Sequence, residues 1–516
     1  MADSWQTYPI EFRGGLTTNL SPLQQGLNAP GTATILQNFE PSVEGGYRRI
    51  SGYQKFADNA LGNTGFIRGI FRYDNQVYAA RGNGLFRTTG GVTAWTEITD
   101  NATFSSAGIT LGGSGKVRFA SYNFDGNEKF MLVDDANKPH TFDNSTFKEL
   151  TALSADFTGC SHVTVFKNHI FLVNGSTILL SAPYQDEDFS VASGGGSIDV
   201  GDVITDIIVF REQLIIFTRT KIKKLTGDSI ANFVLSSVSE DLGAVENDTA
   251  QEIGADIMFL GPDGLRLLSG TDRVGDFGLG VVSKVIQSEA TNFINNSNGY
   301  SSVVIREKSQ YRIFGFNSGF TDDAALGLLG TQFASQGGEG MAWAELRGIN
   351  AYVAFSVYDG DEEHVYFAND DGYVYQQELG NSFNGSNISA TFSSPFLAFA
   401  DPRIRKTFYK MFLYTDPEGS VDFDVSLKLD FDRVNTGLIQ PPAITLANST
   451  DDIFTFGAFD SLYGTATYSS GNIETLFETQ LIGSGFTAAV QVDCDNQNPP
   501  FTLDAVTIEY VANGRR

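Results

Sequence analysis

Phe66-Ile67-Arg68-Gly69-Ile70-Phe71, Asp74-Asn75-Gln76, Val77-Tyr78-Ala79-Ala80, Gly82-Asn83-Gly84, Leu85-Phe86-Arg87 and Trp95-Thr96-Glu97-Ile98 follow one another within Gly65–Thr99. Aromatic and β-branched residues suit a pleated surface, and Asn, Asp and Gly suit the turns between strands. Four short strands in about 35 residues is the rhythm of one propeller blade.

The same template recurs outward from this run. Lys116–Leu150 repeats it with Val117-Arg118-Phe119-Ala120-Ser121-Tyr122 and Lys129-Phe130-Met131-Leu132-Val133. Cys160–Phe189 and Ile204–Val238 repeat it again, the latter through Asp206-Ile207-Ile208-Val209-Phe210 and Leu214-Ile215-Ile216-Phe217. Ile257–Leu268 is a shorter copy, and Ser301–Gly380 holds two more. One blade cannot bury both of its faces, whereas blades stacked in a ring do. The expected fold is therefore all-β: a β-propeller of about seven blades over residues 65–380, with six or eight acceptable. An array of β-sandwiches is the rival arrangement.

Two regions lie outside the template. Residues 1–64 read as an N-terminal segment packing on a platform or interface. Residues 381–516 carry longer alternating runs, such as Val506-Thr507-Ile508-Glu509-Tyr510-Val511, and read as an antiparallel β-sandwich or barrel platform. Helical spacing is confined to two places. Ile286, Ala290 and Ile294 mark a short helix over Ser283–Asn295 with Ser283 as its cap, and a second is expected over Thr32–Gln37.

The chain has 516 residues, with 34 Lys+Arg against 61 Asp+Glu and a formal net charge of −27. At 41% hydrophobic and 12% aromatic it has ample core material, which excludes disorder as its main state. So acidic a chain does not coat nucleic acid, because phosphate binding needs clustered Lys and Arg. Two cysteines, Cys160 and Cys494, exclude a disulfide scaffold, and the two are not expected to pair. The opening residues carry no basic-then-apolar pattern and no apolar run reaches 18 residues, so neither a secretory leader nor a membrane-spanning helix is expected.

Catalytic templates are missing. Gly115-Lys116-Val117 lacks the hydroxyl residue of a phosphate-binding loop, and there is no Gly-x-Ser-x-Gly or His-Glu-x-x-His. The four histidines read as structural. Asp359-Gly360-Asp361 and Asp370-Asp371 fit turn geometry, with calcium there the minor alternative. No catalytic residue, cofactor or metal is expected. A glycan-cleaving propeller would need carboxylates facing one another across the central channel.

Cations are scarce, so their clusters stand out. Arg403, Arg405, Lys406 and Lys410 fall within eight residues, and Arg48-Arg49 form a second cluster. Alternation puts Arg403 and Arg405 on one face of a strand and Lys406 and Lys410 on the other. The plain reading is a charged edge that discourages stray pairing. The functional reading is docking on an acidic neighbouring subunit, with Arg13, Arg48, Arg49, Arg403, Arg405, Lys406 and Lys410 as the assembly residues.

The first 55 residues contain Glu11-Phe12-Arg13-Gly14-Gly15-Leu16, Leu20-Ser21-Pro22, Gln37-Asn38-Phe39-Glu40 and Gly46-Tyr47-Arg48-Arg49-Ile50-Ser51-Gly52-Tyr53. This opening, followed by blades and a platform, resembles the tail tubular (nozzle or hub) proteins of short-tailed bacteriophages. The resemblance implies a virion structural protein of the tail, not an enzyme, made in the host cytoplasm and assembled as a homo-hexamer. It implies adaptor and portal-side proteins and tail fibre or needle proteins as partners, with DNA passing through the lumen without specific binding. A head-closure or stopper protein of another tailed phage is the near alternative. A glycan-binding or glycan-cleaving β-propeller is the distant one.

Overall fold

In the computed structural model, the described residues are 5–105, 108–269, 281–317, 325–335, 338–432, 440–448 and 475–513. The fold they form is all-β, with only short helices between the strands. Seven strands stand side by side around a centre: Ile67–Tyr73, Arg118–Asn123, His162–Phe166, Ile204–Phe210, Gln251–Ile253, Gly299–Ile305 and Val353–Asp359. From each, the chain meanders outward through antiparallel neighbours.

The blade count departs from about seven like units. Among the described residues six sheets are self-contained, five of four strands and one of three. The remaining position in the ring is filled by Gly299–Ile305, Gln310–Phe316, Leu326–Ser335 and Gly338–Arg347, which are the first four strands of a nine-stranded sheet. That sheet leaves the ring. Ile35–Gln37 pairs parallel with Gly338–Arg347 through Gln37 and Glu345, and antiparallel with Ile388–Ser393. The platform strands Ala488–Asn496, Val421–Leu429 and Ile444–Asn448 continue it.

The second platform sheet holds Phe39–Pro41, Tyr47–Arg49, Phe501–Ala512, Lys406–Pro417 and Leu476–Gln480, flanked by Gln6–Glu11 and Ser484–Gly485. Its long strands alternate buried and exposed positions, as a half-solvated sheet requires. Phe423 from one sheet packs on Phe501 and Phe477 from the other, with ring centroids 4.9 and 5.4 Å apart. Full burial of each such ring contributes about 1.5–3 kcal/mol. The platform is thus a β-sandwich.

The N-terminal segment joins the two bodies. Gly15 lies at φ 70°, where a Cβ would sit 2.7 Å from the Trp343 nitrogen. Leu16 donates its N–H to the Trp343 carbonyl at 2.7 Å. Asn38, at φ 54°, donates its side-chain amide to the Arg347 and Ser389 carbonyls and accepts from the Arg347 N–H at 2.8 Å. Tyr53–Lys55 then pairs with Val374–Gln377 as the outermost strand of the last blade, closing the ring. The propeller therefore takes one strand from within residues 1–64. A single apolar core runs through the joint, including Leu36, Leu346 and Phe392.

One expected helix is present and the other is displaced. Val282–Ile286 is a 3-10 turn leading into the α-helix Gln287–Asn296, which buries Ala290 and Phe293 between blades. Ser283 is not its cap; its hydroxyl accepts the Leu265 N–H instead. The helix expected at Thr32–Gln37 is absent. It lies at Pro22–Asn28, where Ser21 caps Gln24 and Pro22 fits the first turn, while Ile35–Gln37 is a strand. Cys160 and Cys494 are both buried and free, as expected.

Asn38→Ala removes three side-chain hydrogen bonds and a residue tolerant of left-handed backbone. It should cost on the order of 2–3 kcal/mol in chemical denaturation.

Candidate functional site

All seven central strands contribute to a cavity of about 310 Å³ on the propeller axis, and a second of about 380 Å³ opens at the strand starts. Charge enters through one repeated position. Arg68, Arg118, His162 and Asp206 each occur within the first three residues of a central strand. Two of those strands carry a β-bulge there, between Ile67 and Gly69 and between Ile204 and Asp206. A bulge re-aims the side chain beside it. At Gly69 the strands approach so closely that a Cβ would meet the Val117 carbonyl at 2.3 Å.

Asp248 is the hub of the cluster. Its two oxygens accept Arg118 Nε and Nη2, each at 2.8 Å, and Lys116 Nζ lies 3.1 Å away. Arg118 Nη1 also donates to the Ser161 carbonyl at 2.7 Å, and Lys116 donates to the Tyr300 carbonyl. Burial opposes ionisation of Asp248, but Arg118 and Lys116 outweigh it and hold its carboxyl far below the usual range. Asp206 behaves oppositely. Burial, with the Asp248 charge nearby, pushes its carboxyl up to about 7, although it accepts the Ile207 and Ala250 N–H groups. Burial also pushes His162 down to about 3, with Arg118 adding to the effect. Its Nδ1 meets the Ser161 hydroxyl at 3.0 Å, while Nε2 is buried with no partner.

Two carboxyls with pKa values pushed apart are the pattern of an acid and a base. Here, however, Asp248 is already held by two cations. The far end of the cavity is apolar: the Phe71 and Phe119 rings stack at 5.3 Å, and Phe355 lies 5.8 Å from Phe71.

The seven cations named from the sequence do not converge. Arg49 is fully buried and donates to the Asn498 and Asn496 carbonyls at 2.6 and 2.7 Å. Lys406, 1% exposed, donates to the Ala398, Asp401 and Phe486 carbonyls, and burial lowers its ammonium to about 8. Neither can meet a neighbouring subunit, so both are corrected to internal structural residues. Arg48 pairs with Glu40 and Glu418 of the same chain. Arg403 pairs with Asp401, Arg405 bonds Ser484, and Lys410 pairs with Glu478. Arg13 is exposed. Lys406 and Lys410 do not share a face, because a bulge between Phe408 and Lys410 shifts the alternation.

Among the described residues no group of three or more His, Cys, Asp or Glu side chains is placed to hold a metal. Asp371 accepts from Tyr373 and Tyr375 of its own turn, and Asp359 pairs with Arg72.

No family model and no curated protein matches the chain. Solved structures with an overlapping trace include the extracellular domain of the one-component system BT4673 from B. thetaiotaomicron, at 10% identity and TM-score 0.39 over 63% of this chain. That match spans 40% of the BT4673 domain. An exo-β-1,3-galactanase from Phanerochaete chrysosporium overlaps at 9% identity and TM-score 0.26, over 89% of this chain and 100% of that one. BamB from Moraxella catarrhalis overlaps at 10% and 0.35, over 62% and 97%. Likenesses this distant carry no argument about function.

The raised Asp206 carboxyl makes the fold pH-sensitive. The folded chain holds this proton more tightly than the unfolded one, so the stability it contributes is full below about pH 4 and is lost as pH rises through 7. Asp206→Asn should remove that loss. Between pH 5 and 8 the wild type should fall relative to the variant by roughly 2–3 kcal/mol in denaturant titrations.

Proposed function

We propose that the chain is an architectural subunit, a tail nozzle or hub protein of the kind its N-terminal motif resembles. One observation carries this reading. The motif residues Gly15, Leu16, Asn38 and Tyr53 lie at the joint between propeller and platform, where they make backbone and carbonyl contacts, and Arg49 braces the platform side through the Asn496 and Asn498 carbonyls. A motif devoted to welding two bodies together is what a load-transmitting part needs.

Self-assembly has support on the platform. Tyr409, Tyr414, Leu476, Ile482 and Phe486 are large apolar side chains left exposed on its outer strands and turns. Trp5 adds to them, its ring 4.6 Å from that of Tyr409. Exposed apolar patches of this sort mark interaction surfaces. A second copy of this chain is the partner proposed here, with the adaptor side and fibre side of a tail as further neighbours. The acidic charge would keep passing DNA from sticking.

A second reading, a propeller that binds or cleaves a glycan, has a different observation in its favour. Asp206 and Asp248 both face the central cavity. Cleavage asks for two carboxyls free to act on the sugar, and Asp248 is clamped by Arg118 and Lys116.

Electron microscopy of the purified chain tests the leading reading: rings of a fixed copy number are expected. Tyr414→Asp combined with Ile482→Asp should abolish rings while leaving the melting temperature of the monomer unchanged. Monomers at all concentrations, or turnover of a polysaccharide by the isolated chain, would overturn it.

A further inference from the structure

We propose that the central cavity of the propeller is a binding site for a small organic carboxylate. The inference does not depend on the architectural reading, since a ring of propellers and a lone propeller would carry the same cavity.

The first support is unmet hydrogen-bonding capacity. His162 is 3% exposed, lines the cavity, and has an Nε2 without a partner. Arg68, 4% exposed, also lines it; its Nη atoms hold the Gly82, Gly112 and Gly115 carbonyls, but its Nε has no partner. Buried polar atoms are rarely left unpaired, and each one costs about 1–3 kcal/mol. Lys116 adds a donor, with one ammonium proton beyond those directed at Asp248 and the Tyr300 carbonyl, and His162 Nε2 donates in the tautomer whose Nδ1 accepts from the Ser161 hydroxyl.

The second support is the sign of the charge. Arg68, Lys116 and Arg118 face Asp248 and Asp206 across the polar end. Asp248 neutralises one cation. Asp206 is about half protonated near neutrality, because burial raises it to about 7. Counted over the lining residues alone the surplus is positive, in a chain whose net charge is −27, although Asp134 and Asp135 behind Arg68 offset part of it. Gln251, Ser301 and Ser302 supply no charge, and the strand Val353–Asp359 presents Val353, Ala354 and Phe355 to the cavity.

The third support is shape. Opposite the cations, Phe71, Phe119 and Phe355 form an apolar wall. A carboxylate at the polar end would lay its carbon body against these rings. The volume of about 310 Å³ falls at the small end of the range for ligand pockets, about 300–1,000 Å³. Lys116, Arg118 and Asp248 also line the outer cavity, so they stand between it and the inner one. Asp135 and Glu246 face the outer cavity only.

Titration sets the pH response. Ionised Asp206 repels the ligand and protonated Asp206 does not; His162 stays neutral, since burial holds it near 3. Affinity should therefore be about tenfold higher at pH 6 than at pH 8.

Calorimetric titration of the full chain with sodium glucuronate, sodium benzoate and glucose tests the proposal. Saturable binding of either carboxylate at pH 6, with the stated weakening at pH 8, is expected. Glucuronate alone would identify a sugar acid, and benzoate alone an apolar acid. His162→Phe, which fills the cavity, and Lys116→Met should each weaken binding at least tenfold. Because either variant could unfold, the wild-type pH dependence stands as an independent readout. No carboxylate binding at about 10 mM and pH 6, binding untouched by both folded variants, or glucose binding as tightly as glucuronate would overturn it.

Discussion

Glu40, 3% exposed, receives three cations from separate parts of the chain. Arg48 lies 3.0 Å away on the neighbouring platform strand, and Lys308 and Arg312 reach it from the blade at 2.7 and 3.2 Å. Glu378, at the end of the last blade, shares Lys308 and Arg312 at 2.5 and 2.6 Å. Glu418 holds the other side of Arg48. Three acids and three cations thus tie the N-terminal segment, two blades and the platform together. Burial opposes ionisation of Glu40, yet Lys308, Arg312 and Arg48 outweigh it and keep its carboxyl below the usual value. Removing one member of such a network strands buried charge, which costs about 3–5 kcal/mol. The network adds directional contacts to a joint whose apolar part, around Leu36 and Phe392, is less selective about angle.

The same principle recurs on the propeller axis, with a different result. Around Asp248 the partners match, because Arg118 and Lys116 take both of its oxygens. Around Asp206 and His162 they do not: one carboxyl is held near neutrality and one imidazole nitrogen has no partner. Closed networks set geometry, whereas incomplete ones leave capacity for a ligand. One of the two clusters serves as a structural joint and the other as a receptive centre.

Much of this architecture is legible in the sequence, because it is local. Strand and turn alternate visibly from Phe66 to Ile98, and Ile286, Ala290 and Ile294 mark a helix between blades at the right place. Register is less legible. Nothing near Tyr53–Lys55 says that it closes a blade with Val374–Gln377, since the pairing is decided by a partner far along the chain. The two bulges that re-aim Arg68 and Asp206, and the one that parts Lys406 from Lys410, depend on neighbouring strands and leave no local signature. A usable signal did exist for the central site: Arg68, Arg118, His162 and Asp206 each fall near the start of the first strand in successive repeats. The basic clusters misdirect because Arg49 and Lys406 find backbone carbonyls inside the chain, a partner that composition does not reveal.

Differential scanning calorimetry of the full chain, with and without Glu40→Gln, tests most directly whether the N-terminal segment makes propeller and platform one body. A single cooperative transition in the intact chain, lowered or split in two by Glu40→Gln, is the predicted result. Two independent transitions in the intact chain, or a Glu40→Gln chain that melts like the original, would contradict it.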